Sequence, residues 1–562
     1  MTNPALILTE ESPAGDTFAR SVREIFRFTG VAGTVVTSLP EQPRGILVSY
    51  ARAVLMAIEM RQLSAERLGG FSSIFIFAGG DARAFEQVIL QAGVRSTAFA
   101  SAEKVHVSVS EKEREICGPF TGLTFREVWA REVLWLDQTS GLTPLVTGLK
   151  AGIGFGRSGN CYFCGASGPL DITDFHPRKL FDIKRCFFQI APLLLFIRYA
   201  FSGFPRRTAG PRACLTVDDP WLREAYGKFR FREVLRAINE HKLALNLGFI
   251  PWNYRRSDRR IVKLFGSQPR ASLAVHGCNH TKDEFKERDA ARVNWLAATA
   301  LERMDAHQAH YAAPFARIMI FPEGAFSAES ALALRGNNYV AAVNTLICAN
   351  EDTEGPRLRD IFEPAVMKYG SFPIVSRRYF DHGMENFAFD LLLGKPCLIA
   401  THHHDYRDQM KPLLETLEKI SKLAPALSWR PLGEIAQELY KIDGDNNVWV
   451  FSNEIVYRNT ASTAVELCFR KEEHFPDSAF VLVNGLAVNP SLESGSCALR
   501  HQLEAGEAVH LRYLDRSTAE KTAPGGWFYR EKVRWRRHFS EFRDHVLMRA
   551  PTIRPGDKPN DR

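Results

Sequence analysis

The chain predicts an α/β protein: a central incomplete (β/α)7-type barrel, an N-terminal α/β domain and a C-terminal β-sandwich. Three observations carry that prediction. Through the first two thirds of the chain, apolar runs alternate with segments of helical period. Between about 210 and 440 seven such runs recur, apolar throughout, as parallel strands buried on both faces should be. After about 445 the runs shorten and turn signals such as Asn484-Gly485 and Ala505-Gly506 separate them.

At 562 residues the chain exceeds what one core can serve. With 45% hydrophobic and 24% charged residues it reads as globular. The net charge of +8 is mild and scattered until the C-terminal end, which argues against a nucleic-acid partner. Ten cysteines at irregular spacing suit reduced thiols. The opening residues lack a basic segment followed by a long apolar one, so no secretory signal is visible and a cytoplasmic location is expected.

Residues 1–150 form the N-terminal α/β domain, with strands expected at 5–8, 45–49 and 74–77 and helices at 18–28, 51–63 and 82–92. Residues 151–210 read as a connector. They hold a glycine-rich stretch from Gly152 to Gly159, the pair Cys161 and Cys164, and an apolar segment at 186–201. The cysteines suit an ordinary connector, a redox pair or a zinc-binding pair. The apolar segment contains Gln189, Pro192 and Arg198 and falls short of the ~20 apolar residues of a membrane span, so a buried or interfacial element is expected.

The barrel occupies 211–442, with strands at 213–217, 243–250, 272–275, 317–321, 340–343, 365–368 and 397–401 and helices between several of them. The sandwich covers 443–515. The tail, 516–562, is basic and contains Trp527 and Trp535. It reads as one amphipathic helix over 529–548, which either docks on its own protein or touches an anionic membrane or polymer.

Four polar clusters fall just after predicted barrel strands, where such folds gather their chemistry. They are Asp218-Asp219, His276 with His280, Pro322-Glu323-Gly324, and His402-His403-His404-Asp405. Carboxylates and imidazoles together can hold one metal ion and leave an acid–base group beside it. Each cluster alone is close to chance in a chain with sixteen histidines; their shared position is informative. Trp252 and Tyr254 follow another strand and can stack on sugar rings, although core packing explains aromatics as readily.

The order Thr-x-Asp-Asp, His-x-x-x-His, Pro-x-Gly, then a late strand ending in histidine resembles the polysaccharide deacetylases of the NodB-homology type. The resemblance runs from about 212 to 440 and includes the closing stretch 428–435. It implies removal of an N- or O-linked acetyl group from a sugar, polysaccharide or glycan intermediate. It implies a divalent metal, zinc before cobalt or nickel, held by Asp219, His276 and His280. Asp218 matches the catalytic base, and His402 or His404 the general acid.

Three departures border this pattern. Pro220 stands where the family has glycine, Ile320-Phe321 replace the arginine that orients the base, and Glu323 replaces an aromatic. Arg377 or Arg378 is a substitute for that arginine, and Glu323 can contact substrate, bind metal or cap a turn. Two other readings stand beside the hydrolase. One is a non-catalytic glycan-binding or polysaccharide-assembly protein; the other is glycoside cleavage by Asp218 with Glu323.

Overall fold

The computed structural model describes residues 5–515, apart from 43, 61–68, 101–103, 130–131, 138–140, 149–151, 178–179, 407–409, 473–478 and 494–495, together with 531–539 and 542. It is a mixed α/β protein built around a nearly closed, barrel-like parallel sheet.

The N-terminal region forms one large sheet. Its parallel half runs Gly33–Val36, Ala5–Leu8, Ile46–Tyr50, Ser73–Phe77, Cys161–Cys164. Its antiparallel half continues through Gly152–Ser158, Thr143–Gly148, Lys104–Val109 and Thr124–Trp129. The stretch expected to be a connector therefore belongs to the sheet. Glycine there serves close packing: a Cβ on Gly154 would lie 2.6 Å from the Phe188 ring. Residues three apart on a strand project to opposite faces, so Cys161 and Cys164 do not form a joint ligand or redox pair. Burial pushes their thiols up to about 11 and about 12.

The apolar segment is a buried helix, Phe187–Ala200, packed against this sheet. Among the described residues no helix is long and apolar enough to cross a membrane.

The barrel strands, numbered in chain order, are β1 (Arg212–Asp218), β2 (Leu245–Phe249), β3 (Ala271–His276), β4 (Ala316–Ile320), β5 (Ala341–Asn344), β6 (Ile374–Ser376), β7 (Arg378–Tyr379) and β8 (Cys397–His402). All neighbours pair in parallel, in the order β6-β5-β4-β3-β2-β1-β8-β7. The two edges, β6 and β7, are separated in the chain by Arg377 alone, so one extended segment changes partner there and nearly closes the ring.

This corrects the expected sixth strand. Residues 365–368 make only an isolated bridge, Val366 to Ile374, because Gly370 and Ser371 take left-handed φ and turn the chain back. The stave is 374–379 instead. Ser428–Trp429 adds to β1, and the helix Leu432–Gln437 follows it.

The C-terminal region has two sheets with a core of their own. One runs Arg207–Thr208, Tyr440–Ile442, Asn447–Val450, Val465–Glu472, Ser496–Leu503, Ser491–Glu493. The other runs Glu454–Arg458, Ala508–Asp515, Ala479–Val483, Leu486–Val488. Val448, Phe469 and Leu503 of the first meet Ile455, Val481 and Leu511 of the second. Its edge strand, Arg207–Thr208, comes from the chain ahead of the barrel, a non-local pairing that the sequence pattern did not signal.

Candidate functional site

The end of β1 supplies two carboxylates with different surroundings. Asp218 is buried at 4% exposure. Asp219 has a φ of +82°, a left-handed value that aspartate tolerates better than most residues. Both histidines of the second cluster converge on Asp219. Its Oδ1 lies 3.4 Å from His276 Nε2 and 3.1 Å from His280 Nε2. One ligand atom from each of the three residues falls within 4.8 Å of the others.

The ring of His276 is fixed by its other nitrogen. Nδ1 lies 3.0 Å from the Ile320 carbonyl oxygen, which can only accept, so Nδ1 carries a proton and Nε2 is the nitrogen turned toward Asp219, donating to it as imidazolium or free to ligate an ion as neutral imidazole. A carboxylate oxygen and two imidazole nitrogens suit a zinc-like divalent ion with open positions. Burial alone would raise Asp219; His280 and His276 outweigh it and hold the carboxyl well below its usual range. Burial alone would lower His276, but Asp218, Asp219 and the Ile320 carbonyl raise it.

The turn joining the two histidines is organised by Glu284, which the motif reading missed. Its buried carboxylate accepts three backbone N–H bonds, from Cys278 at 3.0 Å, Asn279 at 2.7 Å and His280 at 3.1 Å. Gly277 is needed at the apex: its φ is +64°, and a Cβ would lie 2.5 Å from Pro322 and 2.7 Å from Glu284. No sequence signal marks Glu284, because its partners are backbone groups of a fold-dependent turn.

Asp218 is held from the segment that nearly closes the ring, two strands away. Arg377 Nη1 donates to its Oδ1 at 2.8 Å and Nη2 to its Oδ2 at 2.5 Å, while Nη1 also donates to Thr216 Oγ1 at 3.1 Å. Burial would raise the Asp218 carboxyl, but Arg377, with His276 and His402, draws it down. Arg378 projects to the other face of the same segment. There it pairs with Asp390 at 2.6 and 3.1 Å and donates to the Phe181 carbonyl. Of the two arginines left open by the sequence, Arg377 contacts the candidate base.

The late cluster splits three ways. His402 is the register partner of Asp218 on the neighbouring strand. Its ring stacks on His404 at 5.5 Å and faces Tyr379 at 6.0 Å. His404 is 68% exposed and lies 3.3 Å from Asp405 Oδ1. His403 turns away to meet Tyr226 edge-on, in space that Gly227 leaves open. His402, His404 and Asp405 also bring ligand atoms within 4.8 Å of one another.

The remaining candidates sit on the rim. Trp252 donates its backbone N–H to the Cys278 carbonyl, beside the histidine turn, and its ring lies under Arg303. Tyr254 is covered by Arg255. Glu323 has a φ of +57° and pairs with Arg536 of the tail at 3.7 Å.

The chain matches no protein-family profile and no curated protein. Among solved structures it is similar to a candidate polysaccharide deacetylase from Mycobacterium smegmatis, at 11% identity over 42% of this chain and 91% of that one, with a TM-score of 0.32. It is similar to a family 4 carbohydrate esterase from Streptomyces lividans in complex with acetate, at 12% identity over 40% and 92%, TM-score 0.26. It is also similar to a CE4 family pseudoenzyme from Bacillus anthracis, at 11% identity over 42% and 68%, TM-score 0.26. Likeness at this level leaves the chemistry to be read from the side chains.

Proposed function

We propose that the protein is a metal-dependent hydrolase that removes an acetyl group from a sugar, polysaccharide or glycan intermediate. The observation that carries this reading is the convergence of Asp219, His276 and His280 beside the Arg377-held Asp218. The order of these motifs, resembling the NodB-type deacetylases, supplies the substrate class.

Asp219, His276 and His280 would hold the ion. When bound, a divalent metal polarises the acetyl carbonyl and makes a water more acidic. Asp218 receives the water's proton; each of its oxygens keeps a lone pair beyond the one Arg377 engages. Arg377 orients that carboxylate and keeps it ionised. His402, flanking Asp218 on β8, donates a proton to the leaving nitrogen or oxygen. His404, at the solvent side, backs His402 by stacking. Trp252, Tyr254 and Glu323 line the approach to the site and contact the sugar.

Purified protein is expected to carry about one divalent ion per chain and to lose it in Asp219→Ala. Hydrolysis of acetylated sugars or generic acetyl esters should vanish on chelation and return with zinc, cobalt or nickel. Asp218→Asn should keep the metal but lower the rate by ~10²–10⁴. Protein with no bound metal, indifferent to Asp219→Ala, would instead be a glycan-binding or assembly protein on this barrel.

A further inference from the structure

The tail places an aromatic face beside the candidate site. Residues 531–539 are helical, and buried Val533 and Arg537 fix one side of that helix to the protein. At ~100° per residue, Trp535 and Phe539 fall on the opposite side of 531–539, and Phe542 lies beyond it, two residues outside the described set intervening. They are 65%, 70% and 67% exposed. Among the described residues little covers these three large aromatic side chains, and the inner face of the helix that carries them is already docked.

Charge flanks the stripe. Lys532 and Arg534 are exposed on its borders, and residues 527–549 hold seven Lys or Arg against three Asp or Glu. Aromatic rings bordered by cations suit an anionic lipid surface, where the rings enter the headgroup region and the cations meet phosphate. An anionic glycan can stack on single rings, but three exposed rings bordered by cations make an apolar and cationic surface that a bilayer interface covers as a whole.

The helix lies at the barrel mouth. Arg536 pairs with Glu323, Glu323 follows Pro322, and Pro322 abuts Gly277, next to His276. Leu346, 37% exposed and in reach of Gly324, extends the apolar rim on this side.

We propose that this helix is an interfacial anchor that seats the mouth of the barrel on an anionic membrane, so that the acetylated glycan taken by the site is lipid-linked. The substrate half rests on the proposed hydrolase; the anchor does not. Full-length protein is expected to sediment with vesicles of phosphatidylcholine containing about one third phosphatidylglycerol, and not with phosphatidylcholine alone. Replacing Trp535, Phe539 and Phe542 together by alanine should weaken that binding at least ~10-fold. Lys532→Glu with Arg534→Glu should weaken it comparably. Because these side chains are exposed, the thermal melt of either variant should match the parent's, which separates lost binding from lost folding.

Asp219→Ala should bind vesicles as the parent does, so the anchor and the hydrolase fail separately. With an acetylated glycolipid in the vesicles, the aromatic variant should show a raised KM, while its hydrolysis of a soluble acetyl ester is unchanged. Absence of vesicle binding, binding indifferent to both variants, or an aromatic stripe that only mediates self-association would overturn the anchor. Vesicle binding with equal KM for the glycolipid in parent and aromatic variant would overturn the lipid-linked substrate.

Discussion

Arg377 and Glu284 show how much of the site depends on single side chains outside its motifs. Arg377 neutralises a carboxylate that burial would otherwise raise. Arg377→Leu leaves Asp218 buried without a counter-charge, and unfolding free energy should fall by about 3–5 kcal/mol in urea titrations at neutral pH. Arg377→Lys keeps the charge but loses the two-pronged geometry, so it should restore stability more than rate. Glu284→Gln keeps the shape of the turn support but gives up the charge that three N–H groups meet. Metal affinity, read by competition with a chelator, should weaken by ~10–100-fold. The three side chains that converge, Asp219, His276 and His280, were legible in the sequence as polar residues placed after apolar runs. Arg377 was legible only as one of two neighbours, because the face a residue takes depends on where strand 374–379 changes partner.

At the scale of elements, the fit of the helix Ala290–Tyr311 against β2 contains a pH-dependent contact. His307 on that helix is fully buried, packs against Phe249 of β2, and its Nε2 lies 3.0 Å from Ser257 Oγ. Its Nδ1 has no partner among the described residues. Burial, with His310 nearby, brings its pKa down to about 4. In the unfolded chain it titrates near ~6.5, so between the two values the unfolded chain binds more protons. Stability therefore rises with pH across this window and is lost as pH falls through it, by up to about 3 kcal/mol. His307→Gln should lack this component, so its urea midpoint should fall less than the parent's between pH 6.5 and 4.5. The glycine-rich strand Gly152–Ser158 marks the opposite limit of reading elements from pattern. Its small residues looked like a connector because close packing against Phe188 and Trp135 is invisible until the helix 187–200 is in place.

At the scale of the whole molecule, one continuous core joins the N-terminal sheet to the barrel, whereas the sandwich has a separate one. The first pair is also tied through Phe181, which stacks on Phe389 and accepts from Arg378 through its carbonyl. Calorimetry should therefore resolve two transitions, one for the sandwich and one shared by the N-terminal region and barrel. The sandwich still braces the barrel, since Lys471 Nζ reaches the Ser371 carbonyl at 3.0 Å. Asp219→Ala should leave both transitions present.

The sequence by itself determined the α/β class, the run of parallel strands and the residue types after them. Apolar periodicity and polar clusters are local properties that any parallel sheet must express. Only the tertiary structure decided which arginine meets Asp218, which histidine flanks it, and which face of the tail is outward. Those outcomes turn on register and on partners far away in the chain, and a single-residue shift along a strand reverses the face that a side chain takes.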